Sequence, residues 1–137
     1  MLTKTKIIEY LKKQNRYKID SIDKDHITIR KGSAVVTVHS KKFLQKEWVE
    51  FNSLVVKNAD VDKKLMRMIL DINYKLPIGA FGLQKDSIVF KHTILAGDHL
   101  NYEDFSIALM VVASISDKYD DIIANQHGGT TALTTIF

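Results

Sequence analysis

Phe105, Ala108, Leu109, Val112, Ile115, Tyr119, Ile122 and Ile123 all fall on one side of a helix roughly five turns long. A stripe of that length has to be buried along its whole extent, and a sheet is the surface it is expected to cover. Asn101, with Asp104 three residues later, forms a capping pair, and Asp98 and Glu103 add negative charge at the positive end of the helix dipole. The helix is therefore predicted to begin at Tyr102. Ile107, Met110 and Val111 lie off the stripe, so the helix is apolar over more of its circumference than one cover would need. Either a second helix or a second subunit covers them; on the latter reading they are the candidate interface of a homodimer.

The sheet is legible upstream. From Tyr17 the apolar period changes to two, through YKID, HITIR and AVVTVH, with turn formers DKD at 23–25 and KGS at 31–33. Ile27 with Ile29, and Val36 with Val38, mark the buried face of strands expected to pair antiparallel. Before them, Thr3 to Gln14 reads as an amphipathic helix with Ile7, Ile8 and Leu11 on one face. Residues 43–56 fit both periods; their content of strand formers favours a strand from Trp48 to Val56. ADVDKKLMRMILDINYK is a middle helix with Leu65, Met66, Ile69, Leu70 and Ile72 or Asn73 on one side, and Pro77 predicts its end near Tyr74 or Lys75. AFGLQ and SIVFKHTI follow as a hairpin closed by Lys85 and Asp86. After Gly128 and Gly129 the uncharged TTALTTIF is a tail or an added edge strand. The expected architecture is α+β: an antiparallel sheet of five or six strands, with N-terminal, middle and long C-terminal helices. Residues 1–129 form the expected domain and 130–137 the tail.

Composition narrows the function. At 137 residues and 45% apolar content the chain fits one domain, and the absence of cysteine removes thiolate nucleophiles, disulfides and zinc-thiolate sites. The first residues are charged too often for a signal peptide, and the longest apolar run, Ile107 to Ala113, is too short to span a bilayer. A soluble cytoplasmic protein without a membrane partner is the expectation. The net charge of +4 hides an uneven distribution: residues 1–68 hold 16 Lys or Arg against 8 Asp or Glu, and residues 69–137 hold 4 against 8. A basic half could attract nucleic acid. Neither an RNP-like aromatic strand motif nor a C2H2 spacing accompanies it, so nucleic-acid binding is kept only as the alternative reading.

The order of elements, with the stretch NYKLPIGAFGL, resembles the YbjN family, small bacterial domains of the type III secretion chaperone-like fold. Leu65 to Leu83, Ser87 to Leu95 and Phe105 to Asp121 carry the resemblance, which covers the C-terminal half better than the strands before it. In such domains a helix runs through an Asn-aromatic pair into a Leu-Pro-X-Gly-X-Phe corner and then a strand; Asn73, Tyr74, Leu76, Pro77, Gly79 and Phe81 match that pattern. The resemblance implies a non-enzymatic protein- or peptide-binding module, chaperone-like or a sensory transduction regulator, commonly dimeric. It brings no catalytic residues and no cofactor.

Other candidate chemistry is weaker. GAFGLQKD at 79–86 lacks the glycine spacing and the Ser or Thr of a phosphate loop, so Gly79 and Phe81 read as a structural corner. His92, Asp98, His99, Glu103 and Asp104 hold metal-type donors without a ligand motif. Asp117, Asp120 and Asp121 read as a solvated acidic face, and His26, His39 and His127 have nothing near in sequence to complete a triad. Tyr10, Trp48 and Phe51 are the candidate anchors of a partner-binding groove.

Overall fold

The computed structural model describes residues 2–23 and 26–131. Its elements are α1 (Leu2–Lys13), β1 (Lys18–Ile22), β2 (Ile27–Lys31), β3 (Ala34–Phe43), β4 (Lys46–Lys57), α2 (Lys63–Lys75), β5 (Ala80–Gln84), β6 (Ser87–Leu95), a 3-10 turn (Gly97–His99), α3 (Tyr102–His127) and β7 (Thr130–Thr131). The sheet has seven strands in the order β1-β2-β3-β4-β6-β5, with β7 added to β4. This exceeds the expected count by the two-residue β7. Val56 pairs with Ile88 of β6 and with Thr131 of β7, so β7 occupies the side of β4 that β3 has already left. Part of the DKD turn, and all but the first two residues of the expected tail, lie outside the described residues.

Alternation builds one buried face. Ile27, Ile29, Val36, Val38, Val49, Phe51, Ser53, Ile88 and Phe90 point to the helices; Phe51 and Phe105 of α3 pack with ring centroids 5.3 Å apart. A bulge between Leu54 and Val56 breaks the parity, which lets Val55 and Val56 both be fully buried. α1 lies beside α3, burying Ile7 and Leu11. Tyr10 of α1 meets Tyr102 and Phe105 at 5.6 Å, and its hydroxyl donates to the Leu100 carbonyl.

α3 begins where its capping pair predicts: Asp104 N donates to Asn101 Oδ1 at 2.8 Å, and Asn101 Nδ2 donates to Asp104 Oδ2 at 2.9 Å. Its buried stripe departs from the apolar reading. The buried positions are Phe105, Ala108, Leu109, Val112, Ala113, Ser116, Asp120, Ile123 and His127, whereas Ile115 and Tyr119 are half-buried and Ile122 is exposed. The acidic face is accordingly not wholly solvated, because Asp120 is 1% exposed. It lies beneath the turn between β2 and β3. There Ser33 Oγ is within hydrogen-bond reach of both Asp117 Oδ1 and Asp120 Oδ2, and Ser33 N donates to Asp117 Oδ1.

The corner after α2 is tied to the core through Asn73 and Phe81. Asp62 caps the helix by accepting from Leu65 N, and Lys75 ends it. Asn73 reaches forward: it accepts from Phe81 N at 2.8 Å and donates to Phe81 O at 3.1 Å, fixing the start of β5. Gly79 has φ +76°, and a Cβ there would meet the Phe90 ring at 2.5 Å. Phe81 is buried edge-on against Phe90 and Tyr119. Tyr74, in contrast, is 90% exposed. Leu65 and Ile69 are buried, but Met66 and Leu70, expected on the inner side of α2, are exposed with Tyr74 one turn apart. The helix touches the core along a narrower strip than its sequence suggests.

Candidate functional site

Among the described residues no helix covers the second face of the sheet. Register places Thr37, His39, Lys41 and Phe43 of β3, Lys46, Trp48, Glu50, Asn52 and Leu54 of β4, and Val89, Lys91, Thr93 and Leu95 of β6 on it. At one end the β3–β4 hairpin closes on the pair Phe43 and Lys46, so its turn has two residues, Leu44 and Gln45. Both have left-handed backbones, φ +53° and +60°, in positions that normally take Asn and Gly. The Trp48 indole Nε1 donates to Phe43 O at 2.9 Å, pinning the ring across the hairpin. Lys41, Phe43, Leu44, Trp48 and Thr93 enclose an open cavity of about 360 Å³. Phe43 is 58% and Leu44 75% exposed, so two large apolar side chains stand in water at this tip.

One row in from that pocket is an ionic bridge. The Glu50 carboxylate, itself buried, lies 2.8 Å from His39 Nε2 and 3.1 Å from Lys91 Nζ. Burial alone would raise the Glu50 pKa; the hydrogen bond and charge of Lys91, and then the charge of His39, outweigh it and hold the carboxyl below its ordinary value. Burial lowers His39, Glu50 offsets part of that, and His26, its ring 4.9 Å away, lowers it further. His39 Nδ1 is buried without a hydrogen-bond partner among the described residues. Farther along the face, His26, His39, Asn52, Lys57, Lys85 and Asp86 border a broader cavity of about 700 Å³.

The three expected groove residues are not brought together. Trp48 is on the open face and lines a pocket. Phe51 is fully buried on the opposite face, because three residues along a strand reverse the side, and it cannot line a surface groove. Tyr10 is half-buried on the helical side. Sequence parity alone could have separated Trp48 from Phe51. The His26–His39 pair needed the strand register, in which Ile27 faces Val38. On α3, Ile107 and Met110 are exposed and Val111 half-buried. Among the metal-type donors, His92, His99 and Asp104 border one groove beside Ile107, and burial lowers the pKa of His92. No group of three or more His, Cys, Asp or Glu that could hold a metal ion occurs among the described residues. No helix among them is long and apolar enough to cross a membrane.

A helix-backed sheet with one open face and an apolar hairpin pocket has the surfaces of a binding module. A family model described as T3SS (YopN, CesT) and YbjN peptide-binding chaperone 1 matches residues 4–135, and the chain belongs to that family. It is a chaperone-like, protein-binding module of a family and fold that are not enzymes. Among solved structures, a chain in the crystal structure of the ExsC-ExsE complex is similar at TM-score 0.59 and 16% identity, over 75% of this chain and 80% of that one. At that identity the likeness bears on the fold, which is type III secretion chaperone-like. Comparison with curated proteins gives no match.

Proposed function

We propose that this chain is a non-enzymatic cytoplasmic module that holds a segment of another protein against the open face of its sheet, with Trp48 as the anchor. The observation that carries this reading is the β3–β4 hairpin. A left-handed backbone at a non-glycine residue costs on the order of 1–2 kcal/mol. Leu44 bears that cost while 75% exposed, so it recovers little by burial in the free protein. Burial against a bound segment would recover it. Membership of a peptide-binding family supports a peptide as the ligand, and the structural neighbour comes from a complex of two proteins. Holding and releasing such a segment is also how the module would act as a sensory regulator.

A panel of unstructured peptides displayed on a surface tests the reading. Selective capture that Trp48→Ala removes and Trp48→Phe retains is the expected result. A protein that captures no peptide from a diverse panel would end it.

The module is further proposed to act as a homodimer. Ile107 and Met110 of α3 are one exposed apolar surface; Met66, Leu70 and Tyr74 of α2, with Leu70 69% exposed, are a second and longer one. Light scattering at tens of micromolar, on the parent and on Ile107→Glu and Leu70→Glu, distinguishes them: the substitution at the true interface gives monomer. A monomeric parent would exclude both.

A further inference from the structure

The charges around the hairpin pocket say more about its occupant than the pocket's apolar walls do. Lys41 pairs with Trp48 and Phe43 with Lys46, which puts both lysines on the open face, Lys41 in the pocket wall and Lys46 across from Phe43. Lys41, Lys42 and Lys46 form no ion pair among the described residues. The two acids of β4 are already committed. Glu47 falls on the opposite face by alternation and accepts from Thr3 Oγ1 at 3.0 Å, while Glu50 is shared by His39 and Lys91. Lys41 acts on the Glu50 carboxylate only through its field, so these cations are left without an ion-pair partner among the described residues beside an apolar surface, where a carboxylate is attracted more strongly than in open water.

Resting on the peptide-binding reading, we infer that the segment held at this hairpin is acidic as well as apolar: a large aliphatic or aromatic side chain in the Trp48 pocket, flanked by Asp or Glu that meet Lys41 and Lys46. A neutral segment would fill the pocket and leave the lysines unpaired. A basic one would be repelled by them. Nucleic acid is a poorer fit to the same charges, since a single strand needs aromatic platforms spaced along a basic track. Here Phe43 and Trp48 lie together at one end, and the Glu50 carboxylate interrupts the face behind them.

Trp48 is the only tryptophan of the chain, so its fluorescence reads this pocket directly. The full chain is titrated with three synthetic peptides sharing a Leu-Phe-Leu centre and flanked by Glu, Ser or Lys, and separately with oligothymidylate and with phosphatidylserine vesicles. The Glu-flanked peptide should bind about tenfold more tightly than the Ser-flanked one at low salt, with the gap closing as salt rises. Lys41→Glu combined with Lys46→Glu should reverse the order of the three, with the circular dichroism unchanged. If all three peptides bind alike, the charge inference fails and the peptide-binding reading stands. If none perturbs Trp48, both fail at this site. Tighter binding of the oligonucleotide or of the vesicles than of the Glu-flanked peptide also overturns the inference.

Discussion

The two faces of the sheet each hold a buried carboxylate, and the two are pushed in opposite directions. On the open face Glu50 has Lys91 and His39 against it, and its pKa is held below the ordinary value. On the covered face burial raises Asp120; hydrogen bonds from Ser33 and from Asp121 N resist the rise, and the negative charges of Asp121 and Asp117 add to it. A single Ser33 hydroxyl proton cannot serve both Asp117 and Asp120. A protonated Asp120 that donates to Ser33 Oγ, which in turn donates to Asp117, satisfies all three. What separates the faces is thus the company each carboxyl keeps: cations on the side where a ligand is proposed, hydroxyls and further acids on the side where α3 packs.

That contrast can be tested by substitution. Phe81→Ala, on the covered face, should cost about 3–5 kcal/mol through the cavity left against Phe90 and Tyr119, read by chemical denaturation. An unchanged melting temperature would reopen the corner as a ligand loop. Trp48→Ala should remove peptide capture with a far smaller loss of stability, and equal losses would mean that the open face is structural too.

Glu50→Gln should cost about 1–2 kcal/mol at neutral pH, because a hydrogen-bonded charge is lost beside Lys91 and His39. The folded Glu50 pKa is depressed, so its contribution is present above the ordinary carboxylate value and lost as pH falls through the folded one. The difference between Glu50→Gln and parent should accordingly shrink in acid. A difference independent of pH would reject the bridge.

Next in size is the hairpin. Leu44→Asn with Gln45→Gly installs the residues its turn prefers and should raise stability by about 1 kcal/mol, or roughly 2–4 °C in melting temperature, while weakening peptide binding. A gain in stability with binding intact would detach the strained turn from function.

The smallest effect is expected at Asp120. Its folded pKa is raised, so its favourable contribution is present below the ordinary carboxylate value and lost as pH rises through the folded pKa. Asp120→Asn should therefore melt above the parent at pH 7 and level with it near pH 4. A parent advantage at pH 7 would mean that Asp120 is held ionised.

Much of the fold could be read from periodicity, and the departures have specific causes. The strands and the Asn101 cap are local patterns. The inner stripe of α3 is not, because Ser116 and Asp120 occupy buried positions that an apolar pattern skips in favour of Ile115 and Tyr119. They are polar because their partners are polar: Ser116 Oγ lies 2.7 Å from Ser53 Oγ, and Asp120 meets Ser33. Those partners are 63 and 87 residues away. The candidate site divides in the same way. Trp48 was visible as an aromatic on a strand, but the pocket around it needs the β3–β4 register, and the bridge at Glu50 needs β6 as well.

That dependence of the inner face on α3 also sets a timetable during synthesis. The strands β1 to β4 pair through short turns and can form as soon as Lys57 has emerged from the ribosome. Phe51, Ser53, Val36 and Val38 remain without their cover until translation has run on through α3, which ends at His127. At roughly 5–20 residues per second that interval lasts several seconds. Throughout it, a module proposed to shelter other chains exposes a sticky face of its own, so slower translation of α3 should increase aggregation of the nascent protein before it alters anything in the finished one.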